Sequence, residues 1–556
     1  LASPVDGLRV NATPVAEVRR VLTPRGVVLA SPGDAGALNS VGMQAEVHGA
    51  GADAWAIGVK PWPAEMDEWT HPRHGPGGNA VSNDRMVGPP ERVRWVAGPS
   101  AEISNAVSAR GRMYYGGVWA RDAFNGLRLW EKALRPSPAR GDFGYRIAPG
   151  SVAPVACGDR LLVVTEGKLL ALDGARGEVV FEYPAAGSPA EVLSIDDLVV
   201  VVDSQSVGVL DAESGKLLWR RKVSEPKYTV AGAGAVYFLE GVARRGEPMA
   251  VVAIDLATGE PRWRRGQDEF PWLPLVRRAV THQDSLALEV STLADEKVGN
   301  AIHVASVTDG KLLFSHEFVP GMNHAKQARA MFSGDLLWVL KWLRCDGLNP
   351  LTGAVAFSHP AAQTHCFPPV ATTRFMFSGE MELVDLATGE LFDGHHITKA
   401  ACGRDAGWIP ANGLINTCPK HCVCWPMLRG YTALAPATED SCLPKELEKL
   451  EFPVDRGVDA PIATAAPSPG DWPMYRHDGW RSATASTEVA AELNTLWSVE
   501  LGAWPEGPIG QDWRDNPFVR GPITAPVIAG GLVYVARPDA HEIVALDAAN
   551  GQVRWR

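Results

Sequence analysis

Residues 209–219 read VLDAESGKLLW, with Asp211, Gly215 and Trp219 at fixed spacing between two runs of alternating apolar residues. An aspartate side chain accepts hydrogen bonds from backbone N–H groups two residues on and so closes a tight turn. The glycine supplies the positive φ of a bulged hairpin. Alternation on either side is the period of half-buried strands. The stretch therefore reads as a β-hairpin. Its tryptophan, four residues beyond the glycine, stands at a set place on the second strand.

The same hairpin recurs along the chain. ARDAFNGLRLW carries Asp122, Gly126 and Trp130; ALDGARGEVVF carries Asp173, Gly177 and Phe181. AIDLATGEPRW carries Asp255, Gly259 and Trp263, and ALDAANGQVRW carries Asp547, Gly551 and Trp555. Weaker copies end at Gly310/Phe314 and Gly353/Phe357, and VDLATGELF keeps Asp385 and Gly389 with its aromatic, Phe392, one residue early. Successive glycines are 51, 38, 44, 51, 43 and 36 residues apart. Those spacings centre on the roughly 40–45 residues of a four-stranded propeller blade. Further strand patterns such as GDRLLVV (158–164) and GDLLWVL (334–340) sit between the hairpins. No long amphipathic helix interrupts residues 100–400, so radial β repetition fits better than an α/β solenoid. The pattern predicts eight blades between about residues 100 and 436. The eighth (411–436) lacks the Asp…Gly hairpin. An aromatic at a constant place facing a neighbouring repeat is a packing knob, which accounts for part of the 19 tryptophans.

Two segments also resemble each other. DEWTHPRH…RVRW contains Trp69, His74 and Trp95; DWPMYRHD…TLW contains Trp472, His477 and Trp497. The tryptophans are 26 and 25 residues apart, and the histidine follows the first by five in both. Each reads as a domain opening that supplies the outermost strand of its ring's last blade, so that closure removes the edge. Between them lie a short helix pattern (441–451) and a Pro/Ala-rich linker (457–470). The second opening reaches one hairpin before Arg556, and one blade cannot bury its own faces, so the expectation is a second ring continuing beyond the chain.

Composition narrows the classes. The 556 residues carry 53 Lys+Arg against 64 Asp+Glu, a net charge of −11, which argues against nucleic acid as the main partner. Gly and Pro together make 99 residues, more than average yet short of low complexity, as many turns require. No apolar run approaches the roughly 18 residues of a membrane-spanning helix. The chain opens on Leu1 without a signal pattern, as a processed chain or a fragment would.

The AxDxxTGxxxW hairpins and the DWPxxRxD…LW opening resemble the PQQ-like β-propeller repeat of quinoprotein alcohol dehydrogenases and BamB-like proteins, over about residues 65–436 and 471–556. The stretch PWPAEMDEWTH…VGPPERVRWVAGP resembles a group of large bacterial propeller proteins in which a methyltransferase-like domain precedes the rings. AEVRRVLTPRGVVLA (16–30) is similar to the last helix–turn–strand of a class I methyltransferase domain. The loop that would hold S-adenosylmethionine lies upstream of it, so methyl transfer is unsupported. The expected organisation is an all-β, eight-bladed propeller (65–436) behind a short α/β remnant (1–60). A helix and linker (437–470) then lead to the first part of a second propeller (471–556). The resemblance implies an extracytoplasmic, periplasmic or secreted, protein.

In the quinoprotein dehydrogenases the resemblance implies a quinone on the ring axis, between a Trp and a disulfide of adjacent cysteines, with Ca²⁺ and a catalytic Asp. This chain has eight cysteines and no adjacent pair, and no carboxylates match the Ca²⁺ ligands. PQQ and calcium are therefore not expected. Cys157 and Cys345 lie in strand-like runs and read as core. The other six fall between residues 366 and 442, where disulfides or a metal would account for them. Cys418, His421, Cys422 and Cys424 crowd into seven residues and form the candidate metal set, with disulfides bracing the modified blade as the alternative and Cys366–Cys402 a first pairing. Trp69, His71 and His74 form a polar cluster that either lines the ring mouth or binds a metal, or else satisfies backbone groups where the closing strand joins. His395-His396 reads as exposed. No serine-nucleophile elbow, zincin or P-loop motif is present. The sequence thus points to a non-catalytic binding ring with a protein or glycan partner. A quinoprotein-type oxidoreductase and a metal-binding module around Cys418–Cys424 are the alternatives.

Overall fold

The computed structural model describes residues 15–98, 103, 105–116, 119–132, 139–141, 144–146, 152–241, 248–291, 300–318, 329–341, 343–362, 369–378, 381–393, 398, 408–418, 428, 430–437, 468–503, 506, 510 and 521–556. These fall into two compact units, 1–97 with 101–437, and 98–100 with 438–556.

The first unit is an eight-bladed β-propeller. Among its described residues eight antiparallel sheets follow one another in chain order, seven of four strands and one of four plus a short fifth. Their innermost strands are Ala106–Ala109, Val155–Cys157, Glu191–Ile195, Lys227–Gly232, Val276–His282, Ala330–Ser333, Val370–Thr372 and Ile409–Ala411. We number the blades 1 to 8 in that order. Both faces of a blade are covered by its neighbours, which is why the second and third strands read as continuous apolar runs such as Leu198–Val202. Separate apolar clusters fill successive blade interfaces, for example Val107, Tyr114 and Leu161 between blades 1 and 2. Another joins Val280, Ile302 and Phe332 between blades 5 and 6.

The repeated hairpin explains how blades dock. The carboxyl of each aspartate accepts the amides two and three residues on, as Asp122 does from Phe124 (2.9 Å) and Asn125 (3.1 Å). The glycine then takes φ near +70° (Gly126 +74°, Gly177 +72°, Gly310 +71°). The aromatic of one blade lies flat on the glycine of the next: Trp130 on Gly177, Phe181 on Gly215, Trp219 on Gly259, Trp263 on Gly310 and Phe314 on Gly353. A Cβ at Gly177 would sit 2.6 Å from the Trp130 ring. Glycine is thus required twice over, for its φ and for its bare Cα. Each indole also donates to a carbonyl of the covered turn, Trp130 to Gly174 (2.9 Å) and Trp263 to Val307 (2.8 Å).

Blade 6 departs from the expected knob. Phe357 is 48% exposed, and Gly389 is covered instead by His359, whose Nε2 lies 3.2 Å from the Leu386 carbonyl. The cause is Gly347, which pairs with Phe357 and leaves a space that Trp338 fills. Phe357 stacks against Trp338 at 6.5 Å and is left outside.

Blade 8 is closed by the N-terminal strand Pro90–Ala97, antiparallel to Tyr431–Pro436, with Trp95 opposite Ala433. Trp95 covers Gly126 of blade 1 and donates to Ala123 (2.8 Å), so the closing strand delivers the same knob as the outer strands of blades 1 to 5. Upstream, the helix Val15–Val21 leads to a small antiparallel sheet ordered Val27–Ala30, Trp55–Val59, Gln44–His48.

The second unit, described by itself, contains the sheet Val527–Ala529, Leu532–Arg537, Glu542–Asp547, Val553–Trp555. Trp472 pairs with Ile528 of its innermost strand, and Trp497 covers Gly551 and donates to Ala548 (2.9 Å). Trp555, at the knob position, is 49% exposed.

Candidate functional site

The segment 67–84 fills the axis of the first ring. Its residues contact the innermost strands of blades 1 to 7 and the turn that follows the innermost strand of blade 8. Trp69 exchanges backbone hydrogen bonds with Ser108 of blade 1 (3.0 and 2.7 Å), and the Thr70 carbonyl accepts from Ala156 of blade 2 (2.9 Å). His71 Nε2 accepts from the Ser194 amide of blade 3 (3.0 Å). The Pro76 and Gly77 carbonyls accept from Ala231 of blade 4 and Thr281 of blade 5 (both 2.9 Å). The Asn79 side chain pairs with both backbone groups of Phe332 in blade 6 (2.9 Å each). Val81–Ser82 adds a short parallel strand to blade 7. The Asp67 carbonyl accepts from Asn412 and the Asp84 carboxylate from Gly413 of blade 8 (3.0 and 2.7 Å). The inner edges of a propeller present unpaired backbone groups to the channel, and this belt answers one or more on each blade.

Local chemistry shapes the belt. His71 and His74 exchange backbone bonds in a tight turn, with His74 at φ +73° and its ring edge-on to Trp69 (5.2 Å). At Gly77 a Cβ would stand 2.6 Å from the Thr281 carbonyl oxygen, so only glycine brings the backbone close enough to blade 5. The two ends are clasped. Asp67 accepts from His74 Nε2 and the Asn83 amide (both 2.7 Å), and Asp84 accepts from the Asp67 amide (3.2 Å) and Met86 amide (2.9 Å). Burial alone would raise the Asp67 carboxyl, but the His74 hydrogen bond and charge hold it below its ordinary value. Asp84 is pushed up by burial, against the amides that lower it. His71 is wholly buried, and desolvation pulls it down to about 3. Since Nε2 accepts an amide N–H, the ring proton sits on Nδ1, 2.9 Å from the Thr70 hydroxyl, and a second proton has no place.

Trp69, His71 and His74 thus come together, but on the axis and not on the closing strand, which is the separate stretch around Trp95. Of the candidate metal set only Cys418 is described, and it is buried; His421, Cys422 and Cys424 lie outside the described residues, as do Cys366, Cys402, Cys442 and His395-His396. Cys345 is buried, its thiol pushed up to about 12 by burial, and Cys157 is partly buried; neither is in a disulfide. Among the described residues no group of three or more His, Cys, Asp and Glu is placed to hold a metal ion. Among the described residues, those on the axis do not fit the quinone implied by the resemblance. The axis is taken by backbone from 67 to 84, and its carboxylates, Asp67 and Asp84, are engaged in the clasp.

The belt leaves a cavity at each end of the innermost strands. At the strands' starts, over blades 1 to 5, lies one of about 660 Å³, with His71, Arg73 and Pro76 in its floor. At the strands' ends lies one of about 390 Å³, with Asn79, Thr281 and His282 in its lining. The larger, upper mouth is walled by the loop Glu225–Thr229, where Glu225 and Tyr228 hold φ of +39° and +55°. Non-glycine residues in that region cost free energy and gather at binding sites. Sequence reading missed Arg73, Thr229, Arg277 and the 75–84 stretch. The one signal was the glycine-rich run GPGG at 75–78, whose role appears only when eight inner edges surround it.

A search of curated proteins finds no match. Among solved structures the chain is similar to a europium-containing methanol dehydrogenase, at 13% identity over 58% of this chain and 84% of that one, with a TM-score of 0.39. It is also similar to the quinohemoprotein alcohol dehydrogenase of Comamonas testosteroni (14%, 67% and 82%, 0.43) and to BamB of Moraxella catarrhalis (15%, 57% and 91%, 0.33). The family described as outer membrane protein assembly factor BamB matches residues 50–191, 115–271 and 203–366. These matches together take in more than half of the 556 residues, and the chain belongs to that family of PQQ-like propeller repeats.

Proposed function

We propose that the chain is a non-catalytic binding ring of the bacterial envelope, whose axis holds the ring together and whose upper mouth receives a protein or glycan partner. The observation that carries this reading is the belt. It fills the axial position with the chain's own backbone and commits the nearest carboxylates to amides of blade 8 and of the belt itself. The envelope setting draws on the family, whose description names an outer membrane assembly factor. Among the described residues no helix is long and apolar enough to cross a membrane. The test is titration of the purified chain with pyrroloquinoline quinone and Ca²⁺, followed by a dye-linked alcohol oxidation assay. No stoichiometric uptake and no turnover are expected; tight uptake with turnover would overturn the reading in favour of an oxidoreductase.

A further inference from the structure

We infer that the second unit is a docking surface for further propeller blades of the same polypeptide, which seat at two places, the indole of Trp555 and the stretch 493–499. These seats give the second ring expected from the sequence its points of contact, and they do not involve the mouth of the first ring.

Register sets the first seat. In blade 1 Tyr114, Ala120 and Trp130 stand opposite one another on the second, third and fourth strands, and in blade 4 Tyr237, Ala253 and Trp263 do the same. The second unit repeats the trio as Tyr534, Ala545 and Trp555. The tyrosine ring lies 6.1, 5.9 and 6.0 Å from the indole in the three cases. Trp555 is thus placed as a docked knob is, yet it is 49% exposed where Trp130 is 8% and Trp263 9%. The first ring shows what covers such an indole. It is a glycine with φ near +70° in the turn of the next blade, with a carbonyl beside it that accepts from the indole N–H at 2.8–2.9 Å. A Cβ on that glycine would strike the ring, so the partner is specified as an Asp-x-x-x-Gly turn. A second copy cannot supply it, because every turn glycine of the described hairpins, from Gly126 to Gly551, already lies under a ring of its own chain. Each knob strand of blades 1 to 5 leads straight into the blade whose glycine it covers, which makes the same polypeptide the source.

The second seat is the counterpart of the closing strand. Pro90–Ala97 pairs with the third strand of blade 8, Trp95 opposite Ala433, while the Trp95 ring covers Gly126. Trp497 covers Gly551 in the same way, but among the described residues 493–499 belong to no sheet, and Leu493 and Leu496 are 78% and 84% exposed. A segment held by its knob and outside any sheet offers its backbone groups to a further strand. One blade cannot cover its own faces. An arc of blades that begins on Trp555 and ends beside 493–499 fills both seats, as blades 2 to 8 do in the first ring.

The test is oxidative footprinting of tryptophan in the purified 556-residue chain and in the polypeptide made in its native host, with photocrosslinking in the host from p-benzoylphenylalanine placed at position 555. Trp130 is expected to be protected in both. Trp555 is expected to oxidise in the 556-residue chain and to react at least tenfold more slowly in the host polypeptide, with crosslinks to an Asp-x-x-x-Gly hairpin of that same polypeptide. Equal oxidation of Trp555 in the two would overturn the proposal. So would a crosslink to a second copy, to another protein or to a peptide without the turn, and so would the lack of any crosslink.

Discussion

The two openings, 67–97 and 471–499, are built from the same devices and end in different surroundings. In both, a tryptophan pairs with the innermost strand of the following blade (Trp69 with Ser108, Trp472 with Ile528). In both, a histidine five residues on takes a positive φ (His74 +73°, His477 +80°) and sets its ring edge-on to that tryptophan at 5.2 and 5.1 Å. An acidic residue before the tryptophan caps the first turn of the blade, Glu68 accepting from Arg110 (2.7 Å) and Asp471 from Gly530 (3.5 Å). A second tryptophan then covers a turn glycine, Trp95 on Gly126 and Trp497 on Gly551. The difference is burial. Trp69 is 1% exposed within eight blades, whereas its counterpart Trp472 is only partly buried in a unit whose described residues form one. Local geometry is set by a segment and a single blade; the burial that stabilises it comes from the rest of the ring.

The largest test of that distinction lies at the knobs. Trp130→Ala empties a buried interface between blades and is expected to cost about 3–5 kcal/mol, read as a fall in the denaturation midpoint of the first ring. Trp555→Ala, at the same repeat position but half exposed, should change stability by no more than about 1 kcal/mol. Equal losses would show that the knob acts within its own hairpin and not across blades.

The covered glycines come next. Gly177→Ala combines a left-handed φ, about 1–2 kcal/mol, with overpacking against a buried ring, about 1–3 kcal/mol. Gly551→Ala meets the same φ, but Trp497 is only half-buried and can move outward, so only the first cost should remain. Thermal unfolding of the two variants separates the two contributions.

Asp84→Ala opens the clasp and leaves the part-buried amides of Gly413, Asp67 and Met86 without their acceptor, an expected loss of about 1–3 kcal/mol. Acid should act more gently through His71. Its folded value, about 3, lies below the unfolded value near 6.5. Only the unfolded chain therefore takes up the proton between those values, and stability falls as pH drops below 6.5, by up to about 1.4 kcal/mol per unit. The second opening carries Met474 at the corresponding place and lacks this dependence. Urea midpoints of the first ring between pH 7 and 5, compared with those of His71→Gln, check it: the substitution should flatten the slope.

Much of this architecture is legible in the chain because each hairpin carries its own turn chemistry. Asp211 and Gly215 specify a turn within five residues, and repetition in register specifies the ring. The knob was readable as a constant position, and failed at Phe357 because a glycine on the paired strand, Gly347, let Trp338 take the space. The belt was not readable in the same way. Its stretch HGPGGNAVSND (74–84) has neither strand nor helix periodicity, and the bonds that tie it to the blades span about 150 to 330 residues. Asp67 and Asp84 look like ordinary loop acids until the ring brings their ends together. The upper mouth was equally hidden, since Arg73, Thr229 and Arg277 come from the belt and from two different blades.

Native-state hydrogen exchange at the inner-strand amides tests most directly whether the axis is filled by the chain itself. The amides of Ala156, Ser194, Ala231, Thr281 and Ala371 donate to the belt and not to their own sheets. All five are expected to be strongly protected and to open together, with Asp84→Ala lowering their protection in common. Rapid, independent exchange at Ala231 and Thr281, as in a water-lined channel, would contradict the account.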